Sequence, residues 1–227
     1  MHNGHRERLF NRFLKQDLDG FDNINAIEIL LFFSIPRIDT NPIAHRLLDT
    51  FGSFSGVFDA SYEDLLKVEG IGEKTALLIK FMTSFSRYYN REKSTAGKII
   101  TSTSEAGEYI KPYFIGVNDE VVYMISLDHK YRILSIQKIS EGSKDSAHIS
   151  LRKIGEVALK TGAMKIILAH NHPGGIALPS QADIDTTYEI IQALALFNII
   201  LLDHIIVADG DYVSLNESGF IKHNFKK

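Results

Sequence analysis

Up to Asn90 the apolar residues recur three and four apart, as in Leu9, Phe10, Phe13 and Leu14 and then Ile24, Ile27, Leu30 and Leu31. That is the period of helices with one buried face. Pro42, at a first-turn position, opens a helix reaching Thr50, and Ser61-Tyr62-Glu63-Asp64 has the cap-then-acid start of another. From Arg91 to Lys98 the chain turns polar and small, the texture of a linker. Beyond it the period changes. Val121 to Leu127 is a β-branched, apolar run closed by Asp128-His129-Lys130, and a second strand is predicted from Tyr131 to Ile139. A helix follows from about Ser150 to Lys160, then a buried strand over Met164 to Ala169 and a long helix over Gln181 to Phe197. Ile199 to Ala208 and Tyr212 to Leu215 read as a hairpin around Asp209-Gly210-Asp211. The pattern predicts an α+β protein, with an all-helical domain over residues 1–97 and a mixed sheet with flanking helices over 98–227.

Composition narrows the chemistry. The 227 residues include no cysteine. Disulfides, thiolate nucleophiles, iron–sulfur clusters and Cys-ligated zinc are thereby excluded, and any metal must be held by His, Asp or Glu. The apolar runs Ile27 to Phe33 and Ile199 to Leu202 are far shorter than the ~20 residues of a membrane span. The opening residues lack the apolar stretch of a secretion signal, so a soluble, cytoplasmic protein is expected. A formal charge of -3 argues against a surface given over to phosphate binding.

Within the helical half, Gly70-Ile71-Gly72 stands between two helical segments, Leu65 onward and Lys74 onward. Such a turn leaves backbone N–H groups at a helix N-terminus, where the dipole favours an anion such as a DNA phosphate. The segment resembles a helix-hairpin-helix motif. Glu69 and Glu73 flank the turn, and residues 1–97 carry 12 Lys+Arg against 13 Asp+Glu. Contact with DNA there would be weak and non-specific, and packing against a neighbour or partner is the other reading. Arg6, Arg8, Arg12 and Lys15 make the first helix locally basic, as a solvated helix end also would be.

Leu168-Ala169-His170-Asn171-His172-Pro173 ends the predicted buried strand, and Ser180-Gln181-Ala182-Asp183 opens the next helix. Side chains two apart on a strand point the same way, so His170 and His172 can reach one point. Ser180 and Asp183 have the spacing of a capping box, a geometry that would also hold the carboxylate at the loop. Two imidazoles and a carboxylate suit zinc, with the fourth tetrahedral position open to a water whose pKa the metal lowers to about 7. His170, His172 and Asp183 are therefore the candidate metal ligands and Zn2+ the expected cofactor.

His-x-His-Pro followed by Ser-x-x-Asp resembles the motif of the JAB/MPN (JAMM) metalloprotease fold, and the chain resembles the bacterial RadC-like family within it. Further matching segments are Gly4-His5-Arg6-Glu7-Arg8-Leu9, Ile35-Pro36-Arg37-Ile38-Asp39-Thr40-Asn41-Pro42, Ser140-Glu141-Gly142 and Leu202-Asp203-His204-Ile205-Ile206. The resemblance implies a JAB/MPN-like, cytidine-deaminase-like sheet domain and hydrolysis of peptide or isopeptide bonds in a protein substrate. It implies Glu120 as general base at the head of its strand, with Glu141 and Glu156 as competitors, and Ser180 as hydrogen-bond donor to the developing oxyanion. Gly174 and Ser143 depart from the family's usual Ser and Thr; neither is a proposed ligand, and the departures bear on loop shape and substrate contact rather than on the reaction class. His204 is either a group beside the site or a satisfied core histidine. His45, His129, His148 and His223 have no partner pattern. The alternative function is a DNA-associated repair or recombination factor with an accessory metal domain.

Overall fold

The computed structural model describes residues 3–93, 98–142 and 150–221. Ser143, His148 and His223 lie outside them. The chain divides into two compact units, Met1–Ser86 and Arg87–Lys227.

The first unit is helical. It contains α1 (Asn3–Gln16), α2 (Asn23–Phe32), α3 (Asn41–Phe51), α4 (Phe54–Asp59), α5 (Tyr62–Leu66) and the start of α6 (Glu73–Lys93). Side chains of Asp22, Ser53 and Ser61 accept hydrogen bonds from the first turns of α2, α4 and α5, satisfying donors that have no partner within the helix. Ile27, Leu31, Leu47, Leu65 and Ile79 form its core, each at most 1% exposed. Glu28, wholly buried on α2, is met by His5 Nε2 at 2.9 Å and by the Asn41 side-chain amide at 3.3 Å, as a carboxylate removed from water requires. The expected linker begins later than its composition suggests: Arg91, Glu92 and Lys93 continue α6, because these long side chains cost a helix little.

In the second unit five strands form one sheet in the order β2-β1-β3-β4-β5, with ranges β1 Glu120–Leu127, β2 Ile133–Gly142, β3 Lys165–Asn171, β4 Ile200–Ala208 and β5 Asp211–Ser214. Only β3 and β4 are parallel. They are joined by the crossover helix α9 (Gln181–Ala195), which lies on one face with α8 (Leu151–Thr161) over Met124, Ile166, Leu168 and Ile206. The other face is covered by α7 (Thr103–Ile110) and the 3-10 turn Lys111–Phe114. With both faces covered, β3 and β4 are buried along nearly their whole length rather than at alternate residues.

The pattern of the sequence did not predict α7. It is short, and Gly107 inside it weakens its local preference. The glycine is required by close packing: a Cβ there would stand 2.3 Å from the Tyr212 ring of β5. Local propensity is given up for tertiary fit.

Candidate metal centre

The site forms at the C-terminal end of β3, where an antiparallel neighbour on one side meets a parallel one on the other. Val122 of β1 pairs with His170, which carries Glu120, two residues upstream, alongside the His-x-His segment. Asn171 points to the opposite face and spends its side chain on the backbone around Glu120. Its Oδ1 accepts from Val121 N at 2.8 Å and its Nδ2 donates to Asp119 O at 3.0 Å. The middle residue of the His-x-His segment thus ties the start of β1 to the end of β3, a role that only the cross-strand register reveals.

His170 is 1% exposed, and His172 is part-buried. Their Nε2 atoms are 2.9 Å apart. Asp183 closes the group from the first turn of α9, with Oδ1 3.2 Å from His170 Nε2 and Oδ2 3.5 Å from His172 Nε2. Tetrahedral zinc with bonds of about 2.0–2.1 Å sets neighbouring ligand atoms about 3.3 Å apart, so these three separations suit such an ion. One carboxylate oxygen of Glu120 and one ring nitrogen from each of His170 and His172 all lie within 4.8 Å of one another. Glu120 therefore stands where it could ligate directly or hold a water. Of its competitors, Glu156 is exposed and accepts a hydrogen bond from Arg152 Nε at 2.7 Å, while the side chain of Glu141 is outside the described part.

Ser180 and Asp183 form a complete capping box. Ser180 donates to Asp183 Oδ2 through its hydroxyl at 2.6 Å and through its backbone N–H at 2.7 Å, while Asp183 N donates to Ser180 Oγ at 3.2 Å. The Ser180 hydroxyl proton is thereby committed to Asp183, and an oxyanion role requires it to turn away. The electrostatics reinforce the cluster. Burial favours the neutral Asp183 carboxyl, but its contacts with His170, His172 and Ser180 outweigh it and hold the group well below the usual carboxylate range. The hydrogen bond to Asp183 raises the His172 imidazole, against the smaller opposing effect of burial.

His204, fully buried on β4, belongs to this constellation. Its Nε2 is 2.9 Å from His170 Nδ1 and its Nδ1 is 2.7 Å from Thr187 Oγ1. Burial, followed by the nearby His170, pushes the His204 imidazole down to about 3. Thr187 was not singled out from sequence. The signal available was its place four residues after Asp183, one turn along the same helix face.

Comparison with known proteins places the chain in a family. A family model described as the RadC-like JAB domain matches residues 100–220, and one for the helix-hairpin-helix motif matches residues 53–80. The chain is 33% identical over 225 residues to a UPF0758 protein of Fusobacterium nucleatum, covering 96% of this chain and 97% of that one. It is 34% identical over 216 residues to a UPF0758 protein of Vibrio parahaemolyticus, covering 95% of each. A UPF0758 protein of Pseudoalteromonas atlantica is 32% identical over 215 residues, 95% of this chain and 96% of that one.

Proposed function

The chain belongs to the RadC-like JAB family, and on that premise we propose that it is a cytoplasmic, zinc-dependent hydrolase of peptide or isopeptide bonds. The supporting observation is the convergence of His170, His172 and Asp183 at separations of 2.9 to 3.5 Å with Glu120 beside them. These three side chains would hold the ion, which would supply a Lewis acid and lower the pKa of a water to about 7. Glu120 takes the proton of the attacking water on its carboxylate and delivers it to the nitrogen of the leaving amine. Ser180 turns its hydroxyl from Asp183 to the substrate's carbonyl oxygen as charge gathers there. Asn171 holds the backbone that presents Glu120.

Metal analysis tests the reading: about one zinc per chain is expected, as a site with a single tetrahedral ligand set requires, and its loss in His172→Ala. Equal zinc in that variant sinks the ligand assignment. A screen of peptides and isopeptide conjugates should find a substrate cleaved by wild type and not by Glu120→Gln, which keeps its zinc. Full activity in Glu120→Gln moves the base elsewhere.

The helix-hairpin-helix match favours a second reading, in which the helical unit contacts DNA non-specifically in repair or recombination and the metal domain is accessory. Such motifs commonly bind nucleic acid. Lys74 is exposed at the start of α6, but so are Glu69 and Glu73. Binding at low salt that weakens steeply as salt rises would support this reading, and no binding at low salt would remove it.

A further inference from the structure

Thr187 Oγ1 lies 2.5 Å from the backbone carbonyl of Asp183, one helical turn earlier. A carbonyl oxygen has no hydrogen to give, so the single Thr187 hydroxyl proton occupies that contact. The same oxygen meets His204 Nδ1 at 2.7 Å with a lone pair, and Nδ1 must therefore carry a hydrogen. His204 is 0% exposed, and burial keeps an imidazole neutral with one ring proton. Its Nε2 is then bare and accepts, at 2.9 Å, a hydrogen carried on His170 Nδ1.

We propose that Thr187 and His204 are positioning residues that fix the tautomer of His170, holding its proton on Nδ1 and turning a bare Nε2 toward His172 and Asp183. Each contact leaves only one donor direction for the next. The chain begins at the carbonyl of Asp183 and ends where that residue's own carboxylate stands 3.2 Å from His170 Nε2. A lone pair facing a carboxylate and a second imidazole at such distances calls for a cation between them. The inference rests on the reading that His170 is a metal ligand, and it adds how a neutral α9-to-β4-to-β3 relay prepares that ligand before metal arrives.

The test uses the full chain labelled with 15N at histidine. In metal-free protein, long-range proton–nitrogen NMR should find His204 protonated on Nδ1 and bare on Nε2, with His170 protonated on Nδ1. A proton on His204 Nε2 overturns the proposal. Thr187→Val removes the acceptor that orients His204 and should weaken zinc binding, measured by chelator competition, about 10- to 100-fold. Thr187→Ser keeps the hydroxyl and should restore the wild-type tautomer and most of the affinity. Unchanged tautomer and affinity in Thr187→Val would also overturn the proposal. The expected tautomers in a wild-type protein that takes up no zinc would uphold the relay and sink the metal reading instead.

Discussion

Asn171 accepts a hydrogen bond from the backbone N–H of Val121 at 2.8 Å, so the residue between the two candidate histidine ligands holds the peptide group next to the candidate base. The same side chain donates to Asp119 O on the other side of Glu120. One amide thereby brackets Glu120 from a strand that carries the imidazoles.

Replacing it uncouples the two halves of the site. Asn171→Leu leaves Val121 N–H and Asp119 C=O without these partners, at about 1–3 kcal/mol for each that stays unpaired. Thermal unfolding should shift down accordingly. Zinc per chain should be unchanged while turnover falls, since the base is displaced and the ligands are not. Turnover equal to wild type would mean that the bracket is structural only.

Ser180 serves two roles that a single substitution can separate. Ser180→Ala deletes the side-chain half of the capping box and should cost about 1 kcal/mol of stability. If the hydroxyl also stabilises the oxyanion, kcat should fall by about 10²–10³, far more than the stability change explains. Denaturant unfolding and steady-state kinetics on the same preparation decide it, and a variant that is less stable but fully active leaves Ser180 a cap alone.

Gly107→Ala should be among the costlier substitutions of a single methyl group in the chain. Its Cβ would meet the Tyr212 ring at 2.3 Å, and overpacking of this kind costs about 1–3 kcal/mol or more. Pairing it with Tyr212→Ala should recover part of that loss in a double-mutant cycle. Simple additivity would show that α7 and β5 are not coupled at this contact.

Asp203 predicts a pH dependence. Burial pushes its carboxyl up to about 6, against hydrogen bonds from Ser214 Oγ and the backbone N–H groups of Asn216 and His204. Below the ordinary carboxylate range the group is protonated whether the chain is folded or not. Between about pH 4 and 6 the folded protein holds the proton that the unfolded chain has released, so stability falls as pH rises. The loss is complete above about pH 6 and amounts to about 3 kcal/mol. Buried His204, its imidazole held down to about 3, changes stability in the opposite sense over the same range. The Asp203 effect is therefore read by urea unfolding at pH 4 and pH 7 as the change in that difference between wild type and Asp203→Asn, which has no proton to release.

Much of the architecture is legible in the residues alone. The change from helical to strand spacing follows from where side chains must be buried, and β1, α8, β3, α9 and the β4–β5 hairpin fall within a few residues of their expected ranges. His170 and His172 share a face because strands alternate, and Ser180 and Asp183 meet because helix caps close over three residues. These are relations of spacing along the chain. That α9 returns Asp183 to the end of β3, that Asn171 grips the backbone beside Glu120, and that Thr187 and His204 line up behind His170 were decided by register and crossover. Those contacts join residues from 13 to more than 50 positions apart, where spacing carries no information and only the packing of strand on strand and helix on sheet chooses the partner.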